Sequence, residues 1–153
     1  MNELNKTTLG EQPFFKGLSE RYLELLVNDS MLVTFSKDEQ IFCEGDPANR
    51  FYLLTAGEVA LESSPDELED AKDPILIELL GPGNVLGWSW LFSPYSWHFD
   101  ARAVTAVEAI FLYGTRLREQ CEEDHELGYE LMKRINEILV NRLQATCERL
   151  VRR

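Results

Sequence analysis

IFCEGDPANRFYLLTAGEVALE runs from Ile41 to Glu62. Short runs of aromatic and β-branched residues alternate with glycine and proline, the pattern of brief strands joined by turns. Gly45 and Pro47 punctuate a loop after IFC. Phe51 to Glu62 reads as a hairpin, with Gly57 turning the chain between two apolar runs.

The same texture extends outward. MLVTF, Met31 to Phe35, reads as a strand, SKDEQ as a turn, and IFCEG as another short strand. Ser63 to Pro74 is polar and strongly acidic, which suits an exposed loop leading into the strand ILIELL. Gly81-Pro82-Gly83 forces a turn, and Val107 to Tyr113 is a further strand. Upstream, Phe14 to Asn28 reads as a loop entering a short helix. Ser19 is its expected cap, and Tyr22, Leu23, Leu25 and Leu26 form its apolar face. Downstream, Thr115 is the expected cap of a short helix to Glu122. Asp124 is the expected cap of a long helix toward Arg153, about 45 Å at 1.5 Å per residue. The expected layout is mainly β with helices: an extension over 1–13, a β-roll over 14–123, and a terminal helix over 124–153.

The chain has 153 residues, 27 acidic and 15 basic, for a net charge of −12. Nucleic-acid binding needs cations against phosphates, so DNA binding by this chain alone is not expected. Glu126 to Arg153 carries six basic and four acidic residues, a local balance of +2 that suits a solvated helix end. No apolar run approaches the roughly 20 residues of a membrane helix, and no secretion signal opens the chain. The expected location is the cytoplasm. Cys43, Cys121 and Cys147 are odd in number and far apart, which fits reduced thiols and no structural metal. No nucleophile–base pairing, HExxH or Walker loop is present. The chain is not expected to be an enzyme or to carry a metal or cofactor.

GNVLGWSWLFSPYSWHFDARA, Gly83 to Ala103, holds all three tryptophans. The glycines suit a loop whose backbone N–H groups turn inward, with a short helix starting after Gly87 to add its N-terminal dipole. Strand alternation puts Trp97, Phe99 and Ala101 on one face and Arg102 on the other.

These stretches together resemble the cyclic-nucleotide-binding domain of the catabolite activator (Crp/Fnr-like) family. Glu44, Gly45, Asp46, Phe51, Tyr52, Gly57 and Glu58 match "I…EGD…FY.I..GEV.V", and Gly81, Gly83 and Gly87 match "L.PGD.FGE.AL". The resemblance covers about Phe14 to Arg153. It implies a β-roll of the double-stranded β-helix, jelly-roll type, and a sensory or regulatory role in signal transduction. It also exposes a departure. The family places a ribose-binding Glu directly after the cassette glycine, where this chain has Trp88. Its phosphate-binding Arg falls on Trp97, or on Phe99 with a two-residue shift.

Two readings of the cassette stand open. Aromatic side chains that bury about 150–250 Å² each fill the pocket, leaving a structural or partner-binding module. Alternatively the pocket stays open for a non-standard, flat or apolar ligand. Its candidate residues are Gly83, Val85, Leu86, Gly87, Trp88, Ser89, Trp90, Tyr95, Trp97, Phe99 and Ala101. Weak binding of cyclic AMP or cyclic GMP is the least favoured outcome, because a buried phosphate without its cation is poorly paired. His98 as a haem ligand is a minor reading, since its strand parity points outward.

The terminal helix has a broad apolar stripe with 3–4 spacing. The resemblance implies that this helix pairs two protomers. A homodimer through Met132, Ile135, Leu139, Leu143 and Leu150 is expected. In full regulators of the family a helix-turn-helix domain follows; this chain stops at Arg153, so a stand-alone module is expected.

Overall fold

A computed structural model describes residues 4–63 and 74–152. The expected acidic loop of Ser63 to Pro74 lies outside the described residues except at its ends. The chain divides into two compact units, Met1–Leu117 and Arg118–Arg153.

The first unit contains strands β1 Ser30–Phe35, β2 Gln40–Phe42, β3 Arg50–Ala56, β4 Val59–Ser63, β5 Ile75–Leu80, β6 Val85–Leu86, β7 Asp100–Ala103 and β8 Val107–Tyr113. They form two four-stranded antiparallel sheets, ordered β1-β8-β3-β6 and β2-β7-β4-β5. Alternation turns Tyr52, Leu54, Ala109 and Phe111 of the first sheet toward Val59, Leu61, Ala101 and Ala103 of the second, and these side chains share one buried cluster. The fold is thus a β-sandwich core in a mixed β and α chain.

The expected hairpin over Phe51 to Glu62 does not form. β3 and β4 belong to different sheets, so Gly57 turns the chain from one layer to the other. Both arrangements produce the same apolar-turn-apolar pattern. What separates them is the seat of the turn. Glu58 N–H donates to Thr105 Oγ1 at 3.1 Å, and Val104 N–H donates to the Glu58 carbonyl at 2.8 Å. Gly57 has φ +87°, and a Cβ there would lie 2.1 Å from the Ala106 carbonyl oxygen.

Helices α1 Lys6–Gly10 and α2 Glu20–Val27 precede the strands, with a 3₁₀ turn at Pro13–Phe15 between them. Asn5 caps α1 by accepting from Thr8 N–H, in a stretch read from sequence as an extension. Ser19 stands at the N-cap of α2, but its side chain makes no capping bond. Tyr22, Leu23 and Leu26 are buried, whereas Leu25 is 38% exposed and is not part of the apolar face. Phe14 meets Phe51 with ring centroids 5.3 Å apart. Phe51 neighbours Tyr52 on β3 and so faces away from the interior.

Helix α3, Gly114–Glu123, starts one residue before the expected cap, so Thr115 lies inside it. Asp124 does cap α4, His125–Val151, accepting from Glu126 N–H and Leu127 N–H. Among the described residues no helix is long and apolar enough to cross a membrane.

Gly57→Ala is expected to destabilise the fold by about 1–3 kcal/mol from backbone conformation alone, with more from the carbonyl contact. Urea unfolding checks this, and an unchanged midpoint would contradict the seating of the turn.

Candidate functional site

The Gly-rich cassette closes on a tryptophan. Trp97 is 3% exposed, and its ring stacks on Phe42 of β2 with centroids 3.9 Å apart and planes 11° apart. Both rings belong to the interior cluster between the sheets. Gly87, at φ +87°, lies under the far edge of the indole: a Cβ there would sit 2.7 Å from Trp97 Cη2 and 2.9 Å from Cζ3. Glycine is required twice over, for conformation and for room.

The backbone holds this ring in place. Trp97 N–H donates to the Asp46 carbonyl at 3.0 Å, and Gly45 N–H donates to the Trp97 carbonyl at 2.9 Å. Ala48 N–H donates to the Tyr95 carbonyl at 2.7 Å, and Pro47 bridges Ser96. The EGD stretch therefore serves as the brace of the cassette. Trp97 Nε1 has no hydrogen-bond partner among the described residues. An unpaired buried donor costs about 1–3 kcal/mol, so the indole is held there by packing.

The other candidates separate. Trp90 is fully buried but not in the interior: it packs edge-on to Phe51 at 5.6 Å, and its Nε1 donates to the Gly87 carbonyl at 2.9 Å. A Cβ on Gly114 would lie 2.5 Å from it. Trp90 is therefore a brace behind the cassette and not a pocket wall, because β3 turns Phe51 to the outer side. Trp88 is half-buried and precedes a 3₁₀ turn of only three residues, Ser89–Leu91. That turn is too short to bring a helix dipole to a ligand. Val85 and Leu86 are buried in β6, and Leu86 joins the interior. Gly83 packs against Pro13. Tyr95 is 38% exposed with φ +57°, and His98 is exposed.

Ala101 faces the interior like Trp97, but Phe99 is half-buried and outside the interior cluster. Alternation fails there because β7 starts only at Asp100. Arg102 faces outward, pairing with Glu62 at 3.0 Å and Asp38 at 3.3 Å.

A cation that the sequence reading passed over stands beside the cassette. Arg50, the first residue of β3, donates to Tyr52 Oη at 3.4 Å. Burial pushes the Tyr52 phenol above its ordinary value of 10.0, and the neighbouring guanidinium pulls it partly back. The available signal was alternation: Arg50 stands two residues before an interior tyrosine.

On α4, Met132, Leu143 and Leu150 are exposed and Leu139 is half-buried. Ile135 is fully buried, about 80° around the helix from Leu143, so it lies beside the exposed stripe and not on it. Tyr129 at 64% and Val140 at 51% extend that stripe instead. Among the described residues, no three His, Cys, Asp or Glu side chains are grouped to hold a metal ion.

The profile of the cyclic nucleotide-binding domain matches residues 32–124. The CRP-like cAMP-activated global transcriptional regulator of Mycobacterium tuberculosis is 25% identical over 139 residues, which is 90% of this chain and 58% of that protein. The chain thus spans less than two thirds of the curated relative. A protein from Geobacter metallireducens GS-15 named for cyclic nucleotide binding superposes with a TM-score of 0.82 at 28% identity, covering 92% of this chain and 99% of that one. The c-di-GMP responsive global regulator of Xanthomonas campestris superposes at 0.67 with 20% identity, covering 82% and 59%.

Trp97→Ala is expected to cost about 3–5 kcal/mol, the range for emptying a large aromatic site in a core. Denaturant unfolding measures it; a loss below about 1 kcal/mol would mean that the ring does not fill the interior.

Proposed function

The chain belongs to the cyclic nucleotide-binding domain family, and we propose that it is a regulatory domain whose interior does not take a cyclic nucleotide. Two of the proteins named above are regulators by name. One is named as cAMP-activated and another as c-di-GMP responsive, so this fold does not fix the ligand. In this chain the domain responds to a different small ligand or to a protein partner.

The observation that carries this reading is the Trp97 ring, stacked on Phe42 with its edge on Gly87. Of the two positions that the resemblance offers for the phosphate-binding arginine, Trp97 is a buried hydrocarbon surface and Phe99 is a half-buried one. Losing a charged, hydrogen-bonded partner costs about 2–5 kcal/mol, and the ring also takes up room. Titrating the three tryptophans' fluorescence with cyclic AMP or cyclic GMP is expected to give no saturable change below about millimolar concentration. Saturation at micromolar concentration would overturn the reading.

Met132, Leu143 and Leu150, with Tyr129 and Val140, form an exposed apolar stripe on α4. Its spacing suits a second copy of the same helix, and the partner proposed for it is a second chain. Leu143→Glu with Leu150→Glu places charge on two side chains that are each 63% exposed, so the monomer fold should survive. Light scattering is expected to show a dimeric wild type and a monomeric double variant. A monomeric wild type would remove the proposal.

A further inference from the structure

We propose that the rim of the roll at Arg50 binds a small organic oxyanion, a carboxylate or phosphate carried on a flat body. This rests on the reading that the domain responds to a small ligand other than a cyclic nucleotide.

The position is set by two registers. β3 pairs with β8 so that Arg50 lies opposite Tyr113, and with β6 so that Tyr52 lies opposite Leu86. Arg50 precedes that pairing by two residues, and its carbonyl oxygen lies 3.1 Å from where a Gly87 Cβ would be. Directly opposed residues of an antiparallel pair share a face. Arg50, Tyr52, Phe111 and Tyr113 therefore project from one side at this end of the sheet. Tyr52 and Phe111 sink into the interior, whereas Tyr113 is 56% exposed and stands edge-on to Phe111 at 4.7 Å.

Among the described residues, the charge on this rim is not neutralised. Arg102 pairs with Glu62, Arg116 with Asp29, and Arg134 with Glu130. Half-buried Arg50 makes no ion pair among the described residues, and its hydrogen bond there is the long one to Tyr52 Oη. In a chain with 27 acidic side chains against 15 basic ones, a half-buried guanidinium without a carboxylate is conspicuous. Its planar fork of donors matches a carboxylate or phosphate. Tyr113 offers an aromatic face for the body that carries the anion. The cation absent from the Trp97 and Phe99 positions is thus supplied from β3, in the other sheet, at the rim instead of the interior.

The test uses phenyl phosphate and benzoate as probes, with inorganic phosphate to separate a free oxyanion from one on a flat body. Tryptophan fluorescence and thermal stability are followed for the full chain. Wild type is expected to saturate with at least one aryl probe. Arg50→Met, which keeps the stem volume, should weaken that binding at least about tenfold, and Arg50→Lys should recover part of it. An unchanged unfolding midpoint of the apo variants shows that the fold is intact. No saturable response to either aryl probe up to about 10 mM, or equal binding by Arg50→Met, overturns the proposal. Equal affinity for inorganic phosphate and phenyl phosphate overturns the part played by Tyr113. Micromolar binding of cyclic AMP by wild type and Arg50→Met alike would instead overturn the closed interior.

Discussion

The contact between the Trp97 indole, the Phe42 ring and the bare backbone of Gly87 organises this domain. Its three partners come from β2, from the turn after β6, and from the segment entering β7. Because β2 and β7 lie in one sheet and β6 in the other, the stack ties both layers of the sandwich at one point. Stacked aromatic pairs contribute about 0.5–1.5 kcal/mol beyond their buried area. The area itself matters more, since large aromatic rings dominate the energetics of a core.

That constraint shapes the neighbourhood. The Glu44-Gly45-Asp46 loop brackets Trp97 through two backbone hydrogen bonds, and Trp90 closes the back of the cassette by bonding the Gly87 carbonyl. The glycine-rich shape that suits a phosphate loop is retained, yet it now wraps hydrocarbon. Recognition is proposed to lie elsewhere: at Arg50 and Tyr113 on the rim, and on the exposed stripe of α4.

Much of this was legible in the residues. Short apolar runs broken by glycine marked the strands, and the spacing of Gly45, Gly57, Gly81, Gly83 and Gly87 pointed to the family. The inward parity of Ala101 followed from strand alternation in β7, whereas Trp97, three residues before that strand, is placed by its backbone bonds to Gly45 and Asp46. What one dimension hid was which strands pair: Phe51–Glu62 has the pattern of a hairpin, but the chain crosses between sheets at Gly57. Phe99 escaped the interior because alternation holds only where a strand exists. Sequence left filled and open cassettes undecided, since composition does not say which tryptophan faces inward; Trp90 turned out to lie behind the cassette. Arg50 was not legible as a neighbour of the cassette because it lies 37 residues before Gly87 in the chain, and only the pairing of β3 with β6 brings the two together.

The state of the Trp97 ring in solution is the most direct measure of the account. Incorporating 5-fluorotryptophan and assigning the resonances with Trp97→Phe gives one fluorine line for this ring. The account predicts a line with no H2O/D2O solvent shift that stays in place as cyclic AMP is added to millimolar concentration, about 4 kcal/mol of binding energy. A solvent-shifted line, or one that moves saturably with the nucleotide, would contradict a filled interior.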